Sequence, residues 1–467
     1  MPMYASLSIG KNDSDEIKAW KKRTADRLLS LRKALHEHLA VSSSDAQRRQ
    51  QWLRLATWNI REFDSAKYGG RSREALFFIA EIISHFDLVA LQEVRQDLKT
   101  LKVVMGILGN NDWDYIATDI TTGDSGNGER MVFVYNKRMV GFTGIAGEVV
   151  LEQEEEIADA LDRCFMDSAG LKLELPLGTR LEQSELVALR KYRGKLLLKE
   201  NLQLPLPFGT KVVLPAGSSL VLKEGTEVAV SNEGNVLLDT TAMPICGKDA
   251  FVQLDPKALT KGKLQFARSP FLVTFRSGWL KLMLCTVHIY YGSGNVGVKR
   301  RNEEIKKLTA FLSRRAMAEH DSDAENFFFL LGDFNIIGKK HVTWQSLHSN
   351  GFKVPEQLAE IPEGSNVERD KAYDQIAYWE GVEQGKRGST AVDVGNAGIF
   401  DYYKEVFREG SDDPGGEDER YYTGKIKNPK VSYREWRTYQ MSDHLPMWLE
   451  LRTDFGNDYL DGIVSET

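Results

Sequence analysis

A chain of 467 residues exceeds the usual single-domain range, with room for one large core and an extra segment or a second domain. Apolar residues at 42%, charged residues at 27% and only 13 prolines exclude a disordered or fibrous chain. A formal net charge of −6 excludes a global pull towards nucleic acid, so any polyanion site has to be locally basic or metal-charged.

The opening, MPMYASLSIGKNDSDEIKAW, has no basic n-region followed by an apolar h-region. No stretch approaches about 18 uninterrupted apolar residues, so the expectation is a cytoplasmic protein without membrane insertion. Residues 13–40 place Ile17, Trp20, Leu28, Leu31, Leu35 and Leu39 at spacings of three and four. This pattern predicts an amphipathic helix that docks on its own domain or serves as a partner or dimer contact. SSSDAQRRQQ then reads as a polar linker.

From Trp52 onward one pattern repeats: a short apolar strand ending in a polar residue, often followed by a helix. The strands are LRLATWNI, DLVALQEV, WDYIATD, RMVFVYN, FLVTFR, WLKLMLCTVHI, FFFLLGDFNI, YDQIAYW and HLPMWLEL. Helical periodicity occupies REALFFIAEIISHF and NEEIKKLTAFLSRRAMAEH. Strands apolar on both faces need cover on both, by helices or by a second sheet. Between 150 and 262 the texture changes. An acidic, helical-looking run, LEQEEEIADALDRCF, precedes PLGTRL, PFGTKV, PAGSSL and KEGTEV, and Gly209, Gly217, Gly225 and Gly234 recur every eight or nine residues. That period suits short strands and tight turns, hence an inserted β-rich module that is an embellishment, a substrate selector or a partner surface. Cys164, Cys246 and Cys285 are an odd number at wide spacing, which argues against a disulfide framework or a zinc site and for buried small hydrophobes.

The polar residues at the strand ends are Asn59, Glu93, Glu129, His288, Asp333, Asn335, Asp374, Asp443 and His444. Singly, Glu93 fits a surface carboxylate, Asn59 a turn residue, Asp333 and Asn335 a cap, and His288 a satisfied core histidine. Together they favour one shared site, because a carboxylate ending a buried run must be solvated, paired or metal-bound. Amide and carboxylate oxygens without Cys favour a hard ion, Mg²⁺ or Mn²⁺. A histidine with a carboxylate partner suits acid or base work near neutral pH.

TWNIR, LQEVR, GERMVFVY, FARSPFLVTF, TVHIYYG, LLGDFNI, YDQIAY and SDHLPMWLEL follow one another in the order of the endonuclease/exonuclease/phosphatase motifs, and the chain resembles that family from Trp52 to Arg452, apart from the insertion. The resemblance implies a deoxyribonuclease I-like four-layer α/β sandwich, two packed mixed β-sheets flanked by helices, with a β-rich insertion. It divides the chain into an N-terminal helical extension and linker (1–51), a catalytic domain (52–149 and 263–455), the module (150–262) and a C-terminal tail (456–467). It also implies roles. Asn59 and Glu93 would hold the metal, with Asp443 near or on it. Asp333 would orient or deprotonate the attacking water, and Asn335 would grip the scissile phosphate. His444 would pair with Asp374 and His288 with Glu129, flanking the phosphate. Arg268, followed here by Ser-Pro where the family carries Glu-Pro, would contact phosphate bidentately. Arg61 and Arg95 match positions that touch nucleic acid, although an arginine beside carboxylates also suits a structural ion pair.

The implied activity is metal-dependent phosphodiester hydrolysis by an in-line water, on nucleic acid with DNA ahead of RNA. A phosphatase or phosphodiesterase acting on a small metabolite, nucleotide or lipid headgroup is the alternative, and a silent binding scaffold the third. VHIYYG carries His where the abasic-site repair branch carries Tyr, so the chain looks more like the deoxyribonuclease I side. The segment GEDERYYTGKIKNPKVSYREWRTYQ, before Ser442, mixes aromatic and basic residues that would either stack bases or pack on the domain.

Overall fold

The computed structural model describes residues 2–39, 51–63, 65, 70–120, 128–149, 266–292, 294–322, 326–380 and 392–465, and ten short strands between 164 and 253. The linker expected over 42–51 falls outside these residues, Gln51 excepted. The chain divides into two compact units, one of Met1–Val150 with Phe266–Thr467 and one of Leu151–Gln265.

In the larger unit the strands are β1 (Trp52–Phe63), β2 (Leu88–Arg95), β3 (Trp113–Ala117), β4 (Glu129–Asn136), β5 (Gly141–Glu148), β6 (Phe271–Ser277) and β7 (Leu280–His288). They continue with β8 (Asn326–Asp333), β9 (Phe352–Lys353), β10 (Asp374–Trp379), β11 (Val394–Ile399) and β12 (Met447–Arg452). They form two six-stranded mixed sheets, ordered β11-β12-β1-β2-β4-β3 and β9-β10-β8-β7-β6-β5. Each sheet holds one parallel pair, β1 with β2 and β7 with β8. Apolar inner faces bury against each other: the Phe133 ring of the first sheet lies 5.9 Å from Phe271 and 5.6 Å from Phe275 of the second. Beneath the site a polar bridge joins the sheets, with buried Gln92 donating to Thr57 at 3.1 Å and Thr286 at 2.9 Å.

Helices supply the outer layers. α1 (Asp15–Leu39) buries Leu28, Leu31, Leu35 and Leu39 and packs on α2 (Arg73–Ser84), while Ile17 and Leu29 stay exposed. The Ser72 hydroxyl caps α2 by accepting from Ala75 N at 3.3 Å, with Glu74 in the first turn. α3 (Lys99–Leu108) packs beside α2, and α4 (Gly294–Ser322) packs against β8. The fold is thus the four-layer deoxyribonuclease I-like sandwich, two mixed sheets flanked by helices.

The aromatic and basic segment before Ser442 forms α5 (Glu417–Thr423) and α6 (Tyr433–Gln440). Its Tyr422, Tyr433 and Trp436 are buried, with Tyr422 and Trp436 at 5.3 Å, so these rings pack on the domain. A last helix, α7 (Gly456–Ser465), occupies most of the expected tail. No described helix is long and apolar enough to cross a membrane.

The smaller unit contains an antiparallel six-stranded sheet, from Cys164–Asp167 through Gly170–Glu174, Phe251–Gln253, Ser219–Val221 and Lys195–Leu198 to Leu189–Tyr192. Two hairpins join it, Leu202–Pro205 with Lys211–Leu214 and Ala229–Val230 with Val236–Leu237. The turns expected at Gly209, Gly217, Gly225 and Gly234 lie outside the described residues. The helix expected over LEQEEEIADALDRCF gives way to strand at Cys164–Asp167, where Cys and Phe favour strand over helix; residues 151–163 lie outside the described ones.

Candidate active site

Three neighbouring strands of the second sheet carry His288, Asp333 and Asp374 in register. Register partners share a face, so these side chains stand in one row. The first sheet contributes Asn59 from β1, Glu93 from β2 and Glu129 from β4, and His444 stands just before β12. Glu93 reaches the site through a distortion. Its φ is 62°, and the β2–β4 register shifts between Leu91 and Val94. A bulge re-aims a side chain, here at a cost of about 1–3 kcal/mol for a left-handed non-glycine residue. Asn335 is also left-handed, at φ 53°; its N–H donates to Asp333 Oδ1 at 2.8 Å and its Nδ2 to Ile289 O at 2.8 Å.

Two histidine–carboxylate dyads follow. His288 Nδ1 lies 3.0 Å from Glu129 Oε2, and Arg268 Nε donates to the other Glu129 oxygen. His444 Nδ1 lies 2.7 Å from Asp374 Oδ2, which also accepts from the Ser365 hydroxyl at 2.7 Å. With both Nδ1 atoms on carboxylates, both Nε2 atoms are left for the site. They converge: Asp333 Oδ2 is 3.6 Å from His288 Nε2 and 3.8 Å from His444 Nε2.

Burial pushes the Glu129 carboxyl up, but the charges of His288 and Arg268 and their hydrogen bonds prevail and hold it at about 2. Burial disfavours the His288 cation, yet Glu129 outweighs it and raises the imidazole above its ordinary range. In the second dyad burial likewise opposes the His444 charge. Asp374 and Asp333 overcome it and carry the imidazole well above that range. Burial raises Asp374 itself, opposed by His444 and Ser365.

Among the described residues, Glu93, Glu129 and His288 each offer a ligand atom within 4.8 Å of the others. Glu129 is buried and gives both oxygens to charged partners, Arg268 and His288. The Glu93 side chain is 23% exposed and, among the described residues, hydrogen-bonds only to neutral N–H groups, Asn59 Nδ2 and Glu62 N, so Glu93 is the carboxylate whose charge is left for an ion. Asn59 Nδ2 donates to Glu93 Oε1 and to Asp333 Oδ2, both at 3.0 Å, while its Oδ1 accepts from Arg61 N at 3.0 Å, so the amide would turn its oxygen inward to meet a cation between these carboxylates. This oxygen-rich, cysteine-free set fits a hard divalent ion.

Asn59, Glu93, Glu129, Arg268, His288, Asp333, Asn335, Asp374 and His444 therefore come together. Three expected site residues stand at the margin. The Asp443 side chain is 44% exposed and faces Arg61 Nε at 3.4 Å. Arg61 also lies 3.9 Å over the Tyr439 ring. Arg95 pairs with Glu62 at 3.3 Å. An open cleft of about 370 Å³ adjoins His444, walled by Arg61, Tyr373, Arg434, Thr438 and Asp443 among others.

Sequence reasoning passed over the residues that hold the His444 segment. Trp58 Nε1 and the Tyr402 hydroxyl donate to His444 O at 3.0 and 2.9 Å, and the Ser442 hydroxyl donates to Asn59 O at 2.6 Å. Ser442 lay within the SDH signal; Ser365 and Tyr402 carried none.

Two mixed sheets, each with one parallel pair, bring two imidazoles and a shared carboxylate together in a deoxyribonuclease I-like sandwich. No protein-family model matches the chain, and no curated protein does. Among solved structures it is similar to an endonuclease/exonuclease/phosphatase family protein from Bacteroides thetaiotaomicron, 15% identical, covering 86% of this chain and 98% of that one at a TM-score of 0.40. The human Nocturnin catalytic domain with a bound sulfate anion is 10% identical, covering 86% and 94%, with a TM-score of 0.39. A humanized D. rerio TDP2 is 11% identical, covering 86% and 100%, with a TM-score of 0.35.

Proposed function

We propose that the chain is a divalent-metal-dependent phosphoesterase that hydrolyses phosphodiester bonds in nucleic acid, DNA ahead of RNA. The observation that carries this reading is the convergence of His288 Nε2 and His444 Nε2 on Asp333 Oδ2, at 3.6 and 3.8 Å. Two imidazoles whose cationic form is favoured by their carboxylates present N–H donors to one small space, a preorganised site for the charge that develops on phosphoryl and leaving oxygens. Asp333, between them, is placed to accept the proton of an in-line water. The Asn335 amide N–H and Nδ2 hold Asp333 and Ile289, which fixes that residue against the same space. Glu93 would hold Mg²⁺ or Mn²⁺, joined by Asn59 once its amide presents the oxygen, and the bound ion would supply Lewis-acid stabilisation of a phosphoryl oxygen.

A second reading, a phosphatase or phosphodiesterase on a small phosphorylated metabolite, nucleotide or lipid headgroup, draws support from the arginines. Arg61, Arg95 and Arg268 each face a carboxylate, Asp443, Glu62 and Glu129 respectively, which is a modest basis for gripping a long polyanion.

The test is conversion of supercoiled plasmid by the purified protein with Mg²⁺ or Mn²⁺, against EDTA and His288→Ala controls. Metal-dependent nicking absent from the variant supports the nuclease. Intact plasmid together with phosphate release from compact esters supports the second reading. Intact plasmid and inert small esters under every condition overturn both.

A further inference from the structure

Behind the site, α4 presents two buried charged residues one turn apart that the hydrolytic step does not use. Arg301 is 1% exposed and Glu304 is 3% exposed. Arg301 donates through Nε to Tyr290 O at 3.1 Å, through Nη1 to Asn335 O at 2.7 Å, and through Nη2 to Gly292 O at 3.3 Å and to Tyr291 O. Glu304 accepts from Ala267 N at 3.1 Å and from Tyr290 N at 3.3 Å.

These partners are all main-chain atoms of segments that leave the sheets at the site. Ala267 precedes Arg268, Tyr290 to Gly292 follow His288, and Asn335 follows Asp333. Where strands end, buried N–H and C=O groups lose their ladder partners and need others. One guanidinium fork and one carboxylate supply six of them, and Tyr290 is held by both its N–H and its C=O. We propose that Arg301 and Glu304 are positioning residues that lock the Arg268, His288 and Asn335 segments into one reactive geometry; this rests on the phosphoesterase reading above. The planar fork of arginine matters, because a lysine ammonium is a single point that cannot serve carbonyls from two segments in fixed directions. Lys299, two residues before Arg301 on the same helix and exposed, provides a control.

The experiment compares the full chain with Arg301→Ala, Arg301→Lys, Glu304→Gln and Lys299→Ala, reading kcat and KM on a phosphodiester, Tm, and the imidazole resonances of His288 and His444 by NMR. Misplacing reacting groups by about 1 Å costs about 100-fold. Arg301→Ala and Glu304→Gln are expected to lose kcat on that scale with KM little changed and the fold retained. Guanidinium, added below concentrations that move Tm, restores Arg301→Ala; Arg301→Lys stays impaired, and Lys299→Ala behaves as wild type. The His288 resonance shifts in Glu304→Gln while that of His444 stays put. Should Arg301→Ala not fold, Glu304→Gln carries the test by the same readouts. Wild-type kcat in Glu304→Gln, or a loss that merely follows Tm and ignores guanidinium, overturns the proposal. If the wild type hydrolyses no phosphate ester, the underlying reading fails, and an unmoved His288 resonance then overturns the clamp separately.

Discussion

The two histidine dyads are alike in contact and unlike in charge. Glu129 serves two cations, His288 and Arg268, and its carboxyl is held at about 2. Asp374 serves one imidazole and the Ser365 hydroxyl, and burial raises it. The difference lies in what each partner can do when its carboxylate is lost. A buried histidine can release its proton and become neutral, whereas arginine stays charged. The Glu129 dyad is therefore tied to the stability of the fold, and the Asp374 dyad depends less on its carboxylate.

The largest effect comes from erasing the point the dyads share. Asp333→Ala is expected to lower kcat by about 10²–10⁴-fold, the range of a lost general base, in steady-state hydrolysis. Glu129→Gln strands a charge and is expected to cost about 3–5 kcal/mol in urea unfolding. Asp374→Asn, whose histidine can neutralise, should cost only about 1–3 kcal/mol in the same measurement. Near-equal losses would break the distinction.

Titration sharpens the contrast. Glu129 has a lowered carboxyl, so its contribution is whole above its ordinary 4.5 and disappears as pH falls through about 2. His444 has a raised imidazole, so its contribution is whole below 6.5 and is lost as pH rises through its higher folded value. Urea midpoints should decline on both sides, and Glu129→Gln should flatten the acid limb and remove the His288 share of the alkaline limb while leaving the His444 share. The smallest effect is Ser365→Ala, expected to cost about 1 kcal/mol with kcat changed only a few-fold, read by unfolding and by the same assay.

Much of this was legible because most site residues stand at or near one end of a strand whose apolar run is readable by itself: His288 and Asp333 close β7 and β8, and Glu129 and Asp374 open β4 and β10. LLGDFN and TVHIYY announce buried strands that stop at a polar residue, and the order of such stops carried the resemblance. The β5 stretch GFTGIAGE and the β11 stretch VGNAGI were missed, since glycine weakens strand propensity and neither alternates clearly. The aim of Glu93 depends on a bulge, which leaves no composition signal. Arg61, Arg95 and Arg268 find their carboxylates across the fold, 382, 33 and 139 residues away in sequence, where local pattern says nothing. Arg301 and Glu304 read as ordinary charges on an amphipathic helix; only tertiary contacts show them turned inward.

The central claim is that both dyads serve one reacting phosphate, and a double-mutant cycle on His288→Ala and His444→Ala tests it most directly, with kcat measured on one phosphodiester substrate under saturating metal. Groups that act as a unit are not additive. Each single variant is predicted to lose nearly as much as the double. Independent, multiplying losses, or a wild-type rate in either single variant, would contradict a shared centre.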